Sequence, residues 1–424
     1  MSGEKYLIVI GGPTASGKTA FAIALAQHLQ TSILSADSRQ FYRELTIGTA
    51  KPDPAERAQV PHFFIDNRSI REPYSVGQFE KEALERLTEL FRKEDVALLV
   101  GGSGLYLKAV CEGMDAFPEV DEGIQRQLQK LYAAQGIEAL QEKLRDKDPS
   151  YYAEVDLQNP HRLLRALAVI ESTGQPYSHF RKNAPQERAF TPIYLQLHLP
   201  RQKLYQGIDK RVEKMIRAGL EDEVREVWEH RDRSALKTVG YQEWSAYFEG
   251  IVSREEVVRL IQRNTRRYAK RQLTWYRRDG YWKHLRPEEV DLALRYVRFV
   301  RQRGGRLETL PADAKLEKLV EVSSRDSALT FRMIQVQKDL LLHWPQADPP
   351  KTETAFLAWH ECLLRAEEGG AILLLPPGAE LWAKKAGCIP VNIERARIQS
   401  WKRRSDYLAK VSFGCWNVPI PKTT

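Results

Sequence analysis

Cysteine is scarce in this 424-residue chain: there are four, at positions 111, 362, 388 and 415, and none forms a C-x-x-C pair. Spacing so wide argues against a zinc or dithiol redox centre, and a reducing, cytoplasmic setting is expected. Long apolar runs are missing as well. The longest fall far short of the roughly 18 residues that a membrane span needs, so no membrane association is expected. Residues 6–10 are too short for the core of a signal peptide. No internal repeat is found. Acid is in short supply in one region: residues 201–306 carry 26 Lys/Arg against 16 Asp/Glu, whereas residues 1–110 carry 13 of each. The net charge of +9 therefore gathers past the middle of the chain, and a localised basic surface suggests a polyanionic partner.

Against these absences stands one dense motif. Gly12-Pro13-Thr14-Ala15-Ser16-Gly17-Lys18-Thr19 fits the phosphate-binding pattern G-x-x-x-x-G-K-[ST]. An apolar run, residues 6–10, leads into it, and an amphipathic pattern over 18–30 follows. Strand, glycine loop and helix are the context the motif requires. The glycines let backbone N–H groups turn onto phosphate oxygens, and the helix N-terminus adds positive partial charge. Lys18 brings a full charge, and the Thr19 hydroxyl is placed to hold Mg²⁺. The chain is expected to handle a di- or triphosphate.

A second absence narrows the chemistry. The buried-strand run Ala97–Val100 ends in Gly101-Gly102-Ser103-Gly104, where an NTP hydrolase usually places a metal-organising acid. These glycines permit close backbone approach to a ligand, and Ser103 offers a hydroxyl. Asp37 follows the second candidate strand and so reaches the same rim as the phosphate loop. It suits a general base or a metal partner, although an Asp there also suits a turn cap. Ser38, Arg39 and Gln40 beside it suit reading the edge of a base. Further on, residues 259–278 carry eight Lys/Arg and, up to Arg278, no acid. Arg259, Arg263, Arg266, Arg267, Lys270 and Arg271 are spaced for one helical face, with Trp275 and Tyr276 as surfaces for stacking.

Strands are expected at 6–10, 31–35, 62–66 and 96–100, with helices at 18–30 and 77–93. Their alternation implies a parallel sheet with ligands at the strand C-terminal ends. Helices follow at 125–135, 137–144 and 161–172. A strand at 193–199 rejoins the sheet, and residues 201–303 are helical with breaks near 231–234, Gly250 and Gly280. The fold class is α/β: a P-loop NTPase-like parallel sheet with a helical insertion and a basic helical lobe, plus a C-terminal extension. The expected divisions are 1–112 (catalytic core), 113–190 (helical insertion), 191–306 (return strand and basic lobe) and 307–424. The last carries no chemical motif, but its Trp344, Phe356, Trp359, Trp382, Trp401 and Trp416 could furnish a small core.

Seven ordered motifs together resemble the bacterial tRNA dimethylallyltransferase (tRNA isopentenyltransferase) family over residues 6–303. They are the phosphate loop, Ser35–Tyr42, Ile47–Pro52, Val100–Tyr106, Asn159–Leu167, Val239–Tyr241 and Ala269–Trp275. The resemblance implies transfer of a dimethylallyl group from dimethylallyl diphosphate to N6 of the adenosine 3′-adjacent to the anticodon in tRNA, with release of diphosphate. Mg²⁺ is the implied cofactor, held at Thr19. The tRNA anticodon stem-loop and dimethylallyl diphosphate are the implied partners, and a monomer is expected. By position, Asp37 resembles the base for the N6 proton. Ser103 stands where the family usually has Thr, and Lys237 where some members have an Arg near the diphosphate. Residues Asp37–Gln40, Ser103, Arg126 and His161-Arg162-Leu163-Leu164-Arg165 match tRNA-contacting positions, to which the basic helix adds Arg263, Arg267, Lys270 and Arg271. Two other readings stay open on the residues alone. One is a P-loop kinase acting on a nucleoside or metabolite. The other is an RNA-binding protein with weak catalysis.

Overall fold

The computed structural model describes residues 4–115, 117–181, 185–278 and 282–303, together with the backbone of six strands between residues 318 and 417. The chain forms two compact units, residues 1–107 with 189–424, and residues 108–188.

The first unit begins β1 (Tyr6–Gly11), α1 (Lys18–Leu29), β2 (Ile33–Ser35), α2 (Pro54–Gln59), β3 (His62–Phe63), α3 (Val76–Leu90) and β4 (Val96–Val100). α4 (Gly104–Glu112) starts in this unit and ends in the second. In the second unit lie α5 (Glu122–Lys147), α6 (Pro149–Glu154), α7 (Pro160–Thr173) and α8 (Tyr177–Phe180). The first unit then resumes with β5 (Thr191–Leu197), α9 (Arg201–Arg217), α10 (Leu220–Glu226), α11 (Ser245–Phe248), α12 (Arg254–Arg278), β6 (Lys283–Leu285) and α13 (Val290–Arg303).

The sheet order is β3-β2-β4-β1-β5-β6, and every pairing is parallel. β1 is central because it is apolar on both faces: all six of its residues are buried, as a strand covered by helices on both sides must be. Tyr6 pairs with Val96 on one side and Thr191 on the other. The core on this sheet gathers Ile8, Ile10, Phe21, Leu25, Leu98 and Leu195 with Tyr296, Val297 and Val300 of α13. A second core, built around Trp244, Tyr241 and Val257, supports the helices that follow β5.

The helices expected at 125–135 and 137–144 form the two halves of α5, interrupted at Gly136, whose φ of 78° breaks the helical run; other expectations need adjustment. Gly219 (φ 92°) separates α9 from α10, a left-handed turn that glycine adopts without penalty. β6 and α2 were not anticipated. β6 has three residues, too few to show a periodicity. The expected break at Gly280 lies outside the described residues.

In the second unit, Leu128, Leu140, Leu144, Leu163, Leu167 and Ile170 form one core. The α7 N-terminus is capped by Asn159, whose side chain accepts from the Arg162 N–H, with Pro160 in the first turn.

Strands β7 (Lys318–Ser324), β8 (Ser327–Val336), β9 (Asp339–His343), β10 (Ile372–Leu375), β11 (Ile389–Pro390) and β12 (Gly414–Asn417) form a separate sheet in the order β11-β12-β10-β9-β8-β7. β10 falls on the apolar run read from the sequence. The expected aromatic core of this region lies outside the described side chains.

Candidate active site

Local geometry builds the phosphate loop first. β1 ends at Gly11, and the backbone turns through Gly12 (φ 148°), Ala15 (φ 62°) and Gly17 (φ 84°) into α1. The Lys18 ammonium folds back over this loop and donates to the carbonyls of Gly12 (3.0 Å) and Pro13 (2.7 Å). The Ser16 hydroxyl is 1% exposed and has no hydrogen-bond partner among the described residues. An anion's oxygens would satisfy such a group.

This loop forms one wall of a cavity of about 730 Å³. The cavity brings together Thr14, Ala15, Ser16, Gly17, Lys18 and Thr19 with Asp37, Ser38, Arg39 and Gln40 from the end of β2, Ser103 from the end of β4, and Lys237 and Arg271. Gly12 and Pro13 are buried beneath it and contribute the carbonyls that hold Lys18. The parallel sheet accounts for this gathering, since β1, β2 and β4 all deliver their C-terminal ends to one edge.

Asp37 does two things. One carboxylate oxygen accepts from the Arg39 N–H at 3.0 Å and shapes the turn. Its charge also reaches across the cavity, favouring the protonated forms of Lys18, Arg211 and Tyr268. Burial pushes Lys18 down to about 7, Arg211 adds to the shift, and Asp37 opposes it. Burial likewise lowers Arg211 and raises the Tyr268 phenol to about 12.

Arg211 and Tyr268 line this cavity, and neither was singled out as a site residue from the sequence. Arg211 sits on α9 among ordinary helical charges, and only the packing of α9 beside the phosphate loop reveals it. That packing joins Leu204 and Ile208 to Ala269, with Ala15 and Leu273 against them.

The motif Ile47–Pro52 has an architectural role. Glu223 of α10 accepts from the backbone N–H groups of Thr46 (2.9 Å), Ile47 (2.7 Å) and Gly48 (2.9 Å), and from the Tyr241 hydroxyl at 2.6 Å. Lys51 donates to Asp66 at 2.5 Å. The loop so fixed presents the carbonyls of Thr49 and Ala50 to the Gln40 amide, both at 3.3 Å, and Thr49 O also accepts from Arg211 at 3.4 Å.

The glycines after β4 have a packing role beside the expected one. A Cβ at Gly102 would lie 2.4 Å from the Gln272 amide nitrogen, and one at Gly104 would lie 2.0 Å from the Trp275 indole nitrogen. They admit a helix, α12, and Gly102 lines the cavity as well.

On α12, Arg263, Arg267, Lys270 and Arg271 are exposed, and Arg271 reaches the cavity rim. Arg266 departs from the expected basic face: it pairs with Asp209 of α9. Arg259 pairs with Glu256. Tyr276 is fully buried and offers no stacking surface, while Trp275 is half-buried with its indole against Gly104.

Within the second unit, Arg126, His161, Arg162 and Arg165 are exposed. The Arg165 guanidinium lies 5.9 Å from the centre of the Phe117 ring. Leu163 is fully buried and Leu164 packs against the same core. What these two leucines can offer a partner is the support of the exposed residues around them.

Among the described residues, no group of three or more His, Cys, Asp or Glu side chains could cage a metal. The oxygen donors at the cavity include the Thr19 hydroxyl and the Asp37 and Glu56 carboxylates. A hydroxyl beside the phosphate loop fits Mg²⁺ carried mainly by phosphate oxygens and water. No helix among the described residues is long and apolar enough to cross a membrane.

The chain is similar to several known proteins. A relative from Cytophaga hutchinsonii, named tRNA dimethylallyltransferase, is 47% identical over 287 residues, covering 68% of this chain and 94% of the relative. One of the same name from Christiangramia forsetii is 50% identical over 276 residues, covering 65% and 91%. The crystal structure of a tRNA isopentenylpyrophosphate transferase from Bacillus halodurans matches with a TM-score of 0.53 at 32% identity, covering 71% of this chain and 98% of that one. The family model described as IPP transferase matches residues 40–279, and with these relatives it shows that the chain belongs to the IPP transferase family.

Proposed function

We propose that this protein is a tRNA dimethylallyltransferase, which moves the dimethylallyl group of dimethylallyl diphosphate to N6 of the adenosine 3′-adjacent to the anticodon. The observation that carries the reading is the single cavity shared by Lys18, Asp37 and Arg271. A phosphate anchor, a carboxylate base and the edge of a basic helix open onto the same space.

The diphosphate lies on the phosphate loop, against Lys18 and the buried Ser16 hydroxyl, with Arg211 and Lys237 as further cations. As the allylic C1–O bond breaks, negative charge builds on the diphosphate oxygens, and these cations stabilise it. The adenine N6 lone pair forms the new bond to C1. Asp37 takes the proton that N6 loses, and the Ser103 hydroxyl helps hold that nitrogen. The Thr19 hydroxyl would help hold Mg²⁺, which would supply additional positive charge to the leaving group. The target base leaves its stack to enter the cavity, which is cheaper for a loop nucleotide than for a paired one. Arg263, Arg267, Lys270 and Arg271 of the first unit, and Arg126, His161, Arg162 and Arg165 of the second, hold the tRNA.

The kinase alternative does not explain the exposed basic face of α12, and both alternatives run against the names of the relatives. Mass analysis of tRNA nucleosides after incubation with protein, Mg²⁺ and dimethylallyl diphosphate tests the reading. A C5H8 increment on adenosine is expected. Unmodified tRNA, with nucleotide turnover when ATP is supplied, overturns it.

A further inference from the structure

We infer that Gln272 is a positioning residue for the transfer step, setting the separation between the leaving-group end and the acceptor end of the cavity. The inference rests on the prenyl-transfer reading. Gln272 is 6% exposed, and its one amide spans two loops. Its Oε1 accepts from the Thr14 N–H at 2.9 Å. Its Nε2 donates to the Gly102 carbonyl at 2.8 Å. Thr14 belongs to the loop that carries Lys18, and Gly102 immediately precedes Ser103.

The rest of this helix face acts in the same direction. Tyr276, four residues on, donates its hydroxyl to the Gly101 carbonyl at 3.3 Å. Glycines at 11, 102 and 104 allow the contact: a Cβ at any of them would come within 3.0 Å of Tyr276, Gln272 or Trp275. Residues 272, 275 and 276 share one helical face, pressed onto the ends of β1 and β4. Arg263, Arg267, Lys270 and Arg271 of the same helix are exposed. A single rigid element therefore carries both an RNA-facing surface and the strut between the two substrate loops. Gln272 lines the same cavity, but both ends of its amide are taken up by the two loops. Its effect is on distance, to which in-line transfer is acutely sensitive.

The test uses Gln272→Leu, which keeps bulk and loses both hydrogen bonds, and Gln272→Glu. The latter keeps an acceptor for Thr14 and sets a second oxygen against the Gly102 carbonyl. In full-length protein, kcat should fall about 10–100-fold in each, while the tRNA dissociation constant stays close to the wild-type value. If Gln272→Leu fails to fold, Gln272→Glu carries the test alone. Wild-type kcat in either folded variant overturns the inference. So does a loss of tRNA affinity that parallels the loss of kcat, which marks a merely structural residue. Absence of transfer by the wild type sinks the functional reading instead, and the inference with it.

Discussion

Lys18 shows how position alters a side chain's chemistry. Burial and Arg211 hold it at about 7 in the free protein, while an anion beside it favours the charged form and raises it again. Binding of dimethylallyl diphosphate should then draw in a proton above pH 7. Affinity should be highest below that point and fall as pH rises through it. Calorimetry at pH 8 in buffers of different ionisation enthalpy should show proton uptake in the wild type and less in Lys18→Gln; equal values would remove this account. For Asp37, the shared cavity predicts that Asp37→Asn lowers turnover roughly 10²–10⁴-fold with tRNA binding largely kept. Wild-type turnover would strike out the base assignment. Lys18 and Asp37 were legible in the sequence because Lys18 belongs to the phosphate-loop pattern and Asp37 follows a strand end, where fold class alone dictates the neighbours. Arg211 and Gln272 were not, since their importance comes from helices folding back across more than a hundred residues.

α12 and the Glu223 clasp work at the level of the element. The exposed cations of α12 predict tRNA affinity that falls with salt, with a slope shallower by about one when Lys270→Ala removes one phosphate contact. Filter binding at several salt concentrations measures it, and an unchanged slope would take Lys270 out of the interface. Glu223 faces four donors, three of them backbone N–H groups. Glu223→Ala strands those groups and should cost about 1–3 kcal/mol for each one left unpaired and shielded from water, read as a lower denaturant midpoint. A midpoint equal to the wild type would show that water replaces the carboxylate. The motif at 47–52 was visible as a string, but its scaffold role was not, because Glu223 looks like any acid in a first helical turn. The basic face was read too generously: the spacing of the cations alone did not show that Arg266 pairs with Asp209 and Arg259 with Glu256.

At the scale of the molecule, the sheet could be anticipated because β1, β4 and β5 are strongly apolar, whereas three-residue β6 left no pattern. The relatives match along nearly their whole length while covering about two thirds of this chain, and the family model ends at residue 279. A chain truncated after Arg303 should therefore transfer the prenyl group at a rate close to that of the full protein. A folded but inactive truncation would make the region beyond it part of the enzyme.

The placement of β1 has a consequence for how the protein is made. Tyr6 leaves the ribosome before Val96, and Thr191, its other neighbour in the sheet, arrives later still. At typical synthesis rates the wait lasts on the order of ten seconds or more. During it an apolar strand has an uncovered side, open to aberrant pairing. Nascent chains stalled before residue 191 should be the ones that most need a chaperone.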